Sequence, residues 1–233
     1  MPNAFFLEPD NLRGNSFSLD EKESHHASHV FRLRPGDIIS LLNGKGIGYK
    51  GVIEENDGGI IRGKIEQTLE HLGENDNEII IAPALLKRDR FENLIEKATE
   101  LGVNEIHPIL TERCIKRTIN LERCKKIVLS SAKQCQRSHF PIIRDPVGII
   151  PWLYEQKEQC FAGVMGMAKR LTKFQFNKKM PINVLIGPEG DFSNEELDHM
   201  KETGVKLFSL GNRRLRADTA AQASLSILNE LLV

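Results

Sequence analysis

Near its C-terminus the chain writes one unit twice: a short apolar run, a glycine-bearing polar loop, and a segment of helical period. The first copy starts at Val184-Leu185-Ile186, whose length and branching suit a buried strand. It stops at Gly187-Pro188-Glu189-Gly190, where glycines permit conformations other residues resist and Pro188 removes an N–H. Ser193 with Glu196 three residues on is a capping box, predicting a helix to about Thr203 that Gly204 ends. The second copy reads as a strand over 205–210, a polar loop over 211–219 and a final helix over 220–233. Strands alternating with helices call for a parallel sheet, and open sheets of that kind bind ligands beyond the carboxyl ends of their strands. The pattern therefore predicts an α/β fold in which the two loops line one crevice.

The first seventy or so residues have a different grain. A strand is expected at 5–7, and Ser18-Leu19-Asp20-Glu21 reads as a second capping box opening a short helix that carries His25, His26 and His29. Runs at 38–42, 47–54 and 60–67 have strand character. Asn43-Gly44-Lys45-Gly46 and Asn56-Asp57-Gly58-Gly59 separate them as hairpin turns, so a small β-barrel is expected. Gly44-Lys45-Gly46-Ile47-Gly48 lacks the helix that must follow a nucleotide-binding loop and reads as a hairpin tip. The polar stretch 69–77 marks a boundary, giving domains at 1–72 and 73–233.

Beyond that boundary a strand is expected at 79–82. Lys87-Arg88-Asp89-Arg90 then leads a helix with Phe91, Leu94, Ile95, Ala98 and Leu101 on one face. A single strand is expected over 103–110, and a helix capped by Asn120 buries Leu121, Cys124 and Val128. Pro141, Pro146 and Pro151 punctuate an irregular region; a strand at 161–165 and a basic loop over 169–180 follow.

Hydrophobic residues make up 40% of the chain and charged ones 27%, which places it among globular proteins, and a formal net charge of zero argues against a whole-surface nucleic-acid binder. Local basic segments remain: Arg32 and Arg34; Lys87, Arg88 and Arg90; Lys133, Arg137 and His139; Lys169, Arg170 and Lys173. Each alone reads as a solvated face, and together they could form a track for a nucleic-acid backbone. Arg213, Arg214 and Arg216 fall within four positions, a cluster suited to phosphates and planar acceptors or to a solvated loop. No apolar run reaches membrane-spanning length and no secretory leader is evident. The four cysteines show neither a C-x-x-C pair nor zinc spacing, so reduced thiols in a cytoplasmic protein are expected. His25 and His29 lie one helical turn apart without a third ligand, so no metal site is expected. Serine-hydrolase elbows, Walker loops and Cys–His motifs are absent from the sequence. The residues alone reach a two-domain α/β protein with a ligand pocket, and no reaction.

Several segments taken together go further. Leu185-Ile186-Gly187-Pro188-Glu189-Gly190, Leu210-Gly211 and Leu215-Arg216-Ala217-Asp218-Thr219-Ala220 resemble the signature segments of the RsmE family, the 16S ribosomal RNA (uracil-N3)-methyltransferases of the SPOUT superfamily. The resemblance extends to Glu96-Lys97-Ala98-Thr99-Glu100-Leu101-Gly102-Val103, to Glu112-Arg113-Cys114, to Gln134-Cys135-x-Arg137 and to His29-Val30-Phe31-Arg32-Leu33-Arg34-Pro35-Gly36. The chain departs from the family pattern at Ala217-Asp218-Thr219, where Thr-Glu-Thr is usual, and at Gly211-Asn212-Arg213, where Gly-Pro-Arg is usual.

The resemblance implies a small N-terminal PUA-like β-barrel that helps hold RNA, followed by a C-terminal α/β methyltransferase domain tied in a SPOUT trefoil knot. It also implies a homodimer, S-adenosyl-L-methionine as cofactor, and one uridine of 16S rRNA within the small ribosomal subunit as target. Carried onto this chain, the cofactor-binding positions are Leu185, Ile186, Gly187, Pro188, Glu189, Gly190, Leu210, Gly211, Leu215, Arg216, Ala217 and Thr219. Uracil N3 attacks a methyl group only after losing its proton, so an arginine near the uracil carbonyls is needed, and Arg216 is the first candidate. Glu189 and Asp218 are the candidate proton acceptors. Arg32, Arg34, Lys87, Arg88, Arg90 and Arg137 are the expected RNA contacts. The alternative is a non-catalytic RNA-binding or ribosome-assembly factor that retains the fold, motivated by Asp218.

Overall fold

Two kinds of hydrophobic pattern give two kinds of unit in the computed structural model, which describes residues 3–156 and 158–232 without the Arg88 side chain. One unit comprises Met1–Glu74 with Leu129–Phe140, the other Asn75–Val128 with Pro141–Val233. Nothing in the sequence pattern marks Leu129–Phe140 as part of the first.

In the first unit the strands are β1 (Ala4–Phe6), β2 (Leu12–Arg13), β3 (Ser16–Ser18), β4 (Ile38–Leu42), β5 (Ile47–Asp57) and β6 (Ile60–Glu70), with α1 (Glu21–His25) after β3. Among the described residues they form one sheet in the order β1-β4-β5-β6-β3-β2, antiparallel except for β1 against β4. Phe5 near one end of the sheet and Phe17 near the other enter the same core as Ile39, Leu41, Ile53 and Ile61, so the sheet curls around it. Each such side chain, fully buried, contributes about 1.5–3 kcal/mol. The expected capping box at Ser18 is not formed: Ser18 ends β3, and Asp20 caps α1 by accepting the Glu23 N–H at 2.7 Å. A single π-helical turn, His26–Val30, follows α1. The Leu129–Phe140 segment is tied in by Lys133, whose Nζ reaches both Glu23 carboxylate oxygens at 2.7 Å.

The second unit runs β7 (Ile79–Pro83), α2 (Arg88–Glu100), β8 (Glu105–Ile106), β9 (Ile109–Leu110), α3 (Leu121–Cys135, its last turns belonging to the first unit), β10 (Ile142–Ile143), β11 (Val147–Gly148), α4 (Ile149–Glu155), β12 (Gln159–Gly163), β13 (Ile182–Ile186), α5 (Asn194–Glu202), β14 (Lys206–Phe208) and α6 (Ala217–Leu232). Among the described residues the main sheet is parallel throughout, in the order β10-β8-β7-β13-β12-β14. All of β13 is buried, as expected for a continuous apolar run inside a parallel sheet.

Three expectations fail here. The strand read over 103–110 is broken at His107-Pro108 into β8 and β9, which join different sheets; Pro108 has no N–H to continue a ladder. The proline-rich region hides α4, because Pro151 falls in its first turn, where a backbone N–H has no helical partner to lose. The last helix starts at Ala217 instead of 220, with Asp218 in its first turn, where a carboxylate suits the helix dipole.

Candidate functional site

β13, β12 and β14 lie side by side and end level: Gly163 is in register with Ile186 on one side and Phe208 on the other. Their carboxyl-terminal loops therefore open on the same edge of the sheet, with the end of β12 between the other two. A cavity of about 230 Å³ occupies this place. Of the residues expected to hold a cofactor, Ile186, Gly187, Pro188, Glu189, Leu210, Gly211, Leu215 and Ala217 line it.

The remaining expected positions stand nearby without lining it. Leu185 is fully buried in β13, in register with Ala82 and Ala162. Gly190 faces Arg113, whose Cδ lies 3.2 Å from where a Cβ would stand. Arg216 is exposed, and its carbonyl accepts the Ala220 N–H in the first turn of α6. Thr219 is exposed on α6. Asp218 is half-buried, and its Oδ1 lacks a hydrogen-bond partner among the described residues.

Beyond the expected cofactor positions, the cavity is bordered by Gly163, Val164 and Met165 at the end of β12, together with Asp191, Ser209, Arg213, Arg214 and Ala220. The parallel-sheet rule identifies the first three once β12 is known to sit between β13 and β14. Ala220 follows from Ala217 by the i, i+3 spacing of one helix face.

Gly163, Gly187, Ser209, Gly211, Ala217 and Ala220 leave stretches of this wall as main chain and small side chains. A Cβ on Gly187 would stand 3.0 Å from the Phe192 ring, so a larger residue fits here only if that ring gives way. Gly211 has φ 126, outside the range of residues with a Cβ, and its N–H is held by Ser209 Oγ at 3.1 Å. Asp191 adopts φ 62, a conformation aspartate tolerates by local hydrogen bonding, here from the Phe192 N–H to Oδ1 at 2.9 Å. The capping box forms as read: Ser193 Oγ accepts the Glu196 N–H and Glu196 Oε2 accepts the Ser193 N–H.

Cations fix the loop after β13. Arg90 Nη1 lies 2.7 Å from Glu189 Oε1. Arg113 donates to the carbonyl of Gly190 at 2.5 Å and to that of Phe192 at 3.3 Å. Arg214 donates to the Glu189 carbonyl at 2.7 Å.

The expected RNA contacts divide. Arg32 and Arg34 are exposed on the first unit, and Lys87 is exposed on the second, where Arg90 is engaged by Glu189. The Arg88 side chain lies outside the described residues. Arg137 is a correction: it is buried against Glu74 at 2.7 Å and offers no guanidinium face to a phosphate. Among the described residues no helix is long and apolar enough to cross a membrane, and no group of three or more His, Cys, Asp or Glu side chains could hold a metal ion.

The chain matches the family model described as RNA methyltransferase domain over residues 73–229, and that described as RNA methyltransferase PUA domain over 19–67. It is 32% identical to the ribosomal RNA small subunit methyltransferase E of Mesomycoplasma hyopneumoniae, covering 69% of this chain and 73% of that protein. It is 29% identical to the enzyme of the same name from Buchnera aphidicola (subsp. Schizaphis graminum), over 96% of this chain and 92% of that one. The crystal structure of a ribosomal RNA small subunit methyltransferase E from Neisseria gonorrhoeae bound to S-adenosyl methionine superposes with a TM-score of 0.90 at 26% identity, covering 99% of this chain and 98% of that chain. The PUA match falls within the first β-rich segment of the chain and the methyltransferase match covers the β13, β12 and β14 loops, and the chain belongs to the ribosomal RNA small subunit methyltransferase E family of RNA methyltransferases.

Proposed function

We propose that the chain methylates N3 of one uridine in the 16S ribosomal RNA of the small subunit, with S-adenosylmethionine held by the loops after β13 and β14. The observation that carries this reading is the crevice where three parallel strands end, walled by bare main chain at Gly187 and Gly211 and by the small side chains of Ala217 and Ala220. Such a wall fits an adenosine-bearing ligand: it lets a planar ring approach backbone N–H and C=O groups, with Ile186, Pro188, Leu210 and Leu215 supplying apolar contact. S-adenosylmethionine, when bound, supplies a methyl group on a positively charged sulfur.

The chain's own residues then have two tasks. Arg216, exposed beside the first turn of α6, stabilises the negative charge that grows on the uracil carbonyls as N3 loses its proton. Glu189, on the cavity wall, and Asp218, in the first turn of α6, are the carboxylates proposed to accept that proton. Leu185, buried in β13, and Gly190, packed against Arg113, act by shaping the loop after β13, and Thr219 is proposed to meet the cofactor from α6. Because N3 lies on the pairing edge of the base, the uridine must be exposed before it reacts. Arg32, Arg34, Lys87 and Arg90 are proposed to follow the RNA backbone. The trefoil knot, the homodimer, the cytoplasmic location and the division at residue 72 belong to the same reading and are supported by the family resemblance.

The test is to incubate the protein with methyl-labelled S-adenosylmethionine and small ribosomal subunits, digest the RNA and identify the labelled nucleoside. Label in N3-methyluridine of 16S rRNA is the expected result. Cofactor binding without transfer would replace this reading with that of a non-catalytic assembly factor.

A further inference from the structure

We propose that Arg214 is a positioning residue that straps the crevice shut and governs how fast the bound cofactor leaves. The inference rests on the reading that the crevice holds S-adenosylmethionine. β12 separates β13 from β14 in the sheet, so the two loops stand roughly 10 Å apart, two strand spacings. Arg214 spans that gap: it lines the cavity from the loop after β14, and its Nη2 donates to the Glu189 carbonyl, on the opposite wall, at 2.7 Å. The bond therefore crosses above the end of β12, where Gly163, Val164 and Met165 border the same cavity.

The two jaws are held unequally. The loop after β13 is fixed by Arg90 on the Glu189 carboxylate, by Arg113 on the Gly190 and Phe192 carbonyls, and by the capping box of α5. The loop after β14 has none of these. Among the described residues, Arg214 makes the sole side-chain hydrogen bond of residues 212–215, and Asn212, Arg213 and Arg214 are all exposed. Gly211, with φ 126, stands at its base as a pivot. Opening the crevice thus means moving the 211–215 jaw and breaking one charge-assisted bond across the gap together with the local Ser209–Gly211 bonds at its base, while the Glu189 side stays still. The acceptor is a main-chain carbonyl, so the strap does not consume the Glu189 carboxylate.

Two measurements on the full chain test this. The first is the dissociation rate of labelled S-adenosylmethionine, chased with unlabelled cofactor. Arg214→Ala is expected to raise it about five- to tenfold with little change in the association rate, and Arg214→Lys, which keeps a donor without the fork, to fall between. The second is amide hydrogen exchange without cofactor, in which Arg214→Ala is expected to speed exchange at Gly211, whose N–H is held by Ser209 Oγ, and leave residues 193–202 unchanged. Unchanged exchange at Gly211 overturns the strap whether or not cofactor binds. If the wild type fails to bind S-adenosylmethionine while exchange at Gly211 responds as expected, the cofactor reading falls and the strap stands as a device acting on another ligand.

Discussion

Arg137 Nη2 lies 2.7 Å from Glu74 Oε2 inside the first unit, with 2% and 5% of the two side chains exposed. The second carboxylate oxygen accepts the His139 N–H at 2.8 Å, so both charges are paired and hydrogen-bonded. Removing one partner strands the other in the interior. Arg137→Ala is expected to lose about 3–5 kcal/mol of stability in urea unfolding, and the paired replacement Glu74→Leu with Arg137→Met considerably less. A cost for Arg137→Ala below about 1 kcal/mol would mean that water reaches the pair and that the guanidinium remains available to RNA.

At Gly187 the limit is space. An added methyl meets the buried Phe192 ring at 3.0 Å, so the ring must give by a few tenths of an ångström. Gly187→Ala is expected to weaken S-adenosylmethionine binding about tenfold in calorimetry, in line with the cost of overpacking. Gly187→Trp should abolish binding while the protein stays folded by circular dichroism. Wild-type affinity in the tryptophan variant would move the cofactor out of this crevice.

Arg216 separates binding from chemistry. It is exposed and does not line the cavity, although its neighbours Leu215 and Ala217 do. Arg216→Ala is therefore expected to lower turnover on the order of a hundredfold, as for loss of one charge-stabilising donor, with cofactor affinity held within about threefold. A rise in KM for the cofactor at normal turnover would make Arg216 a wall of the cofactor site instead.

How much of this was legible in the sequence depended on whether the signal was local. The α5 capping box is a contact between residues three apart, and Ser193 and Glu196 form it as their spacing requires. The hairpins at Asn43-Gly44 and Gly58-Gly59 likewise follow from residues beside one another. Ser18 shows the limit of local pattern: its backbone pairs with Arg62 across the sheet, and Asp20, two residues on, caps α1. Arg137 shows what no local pattern carries. Its burial depends on Glu74, sixty-three residues away, and a basic residue in a basic segment looks the same whether its carboxylate partner is water-exposed or enclosed. The site was legible where glycine-bearing loops follow apolar runs. It was illegible at Gly163 to Met165, because which strand lies between β13 and β14 is a matter of sheet order.

Cys160 gives the fold a measurable response to alkaline pH. It lies on β12 between β13 and β14, and burial, reinforced by the charge of Glu158, pushes its thiol up from the ordinary 9.0 to about 12. Below pH 9 the thiol is protonated in both the folded and the unfolded chain, so its full contribution is present and independent of pH. Between 9 and 12 the unfolded chain releases the proton while the fold retains it, and stability falls with rising pH by at most about 1.4 kcal/mol per unit. Cys124, raised by burial too, acts with the same sign and remains when Cys160 is replaced. Cys160→Ala should therefore be less stable than the wild type at pH 7 through lost packing, yet show a shallower decline in urea stability from pH 9 to 11. Equal slopes in the two proteins would mean that the folded thiol ionises as readily as the unfolded one, and that β12 is open to water at Cys160.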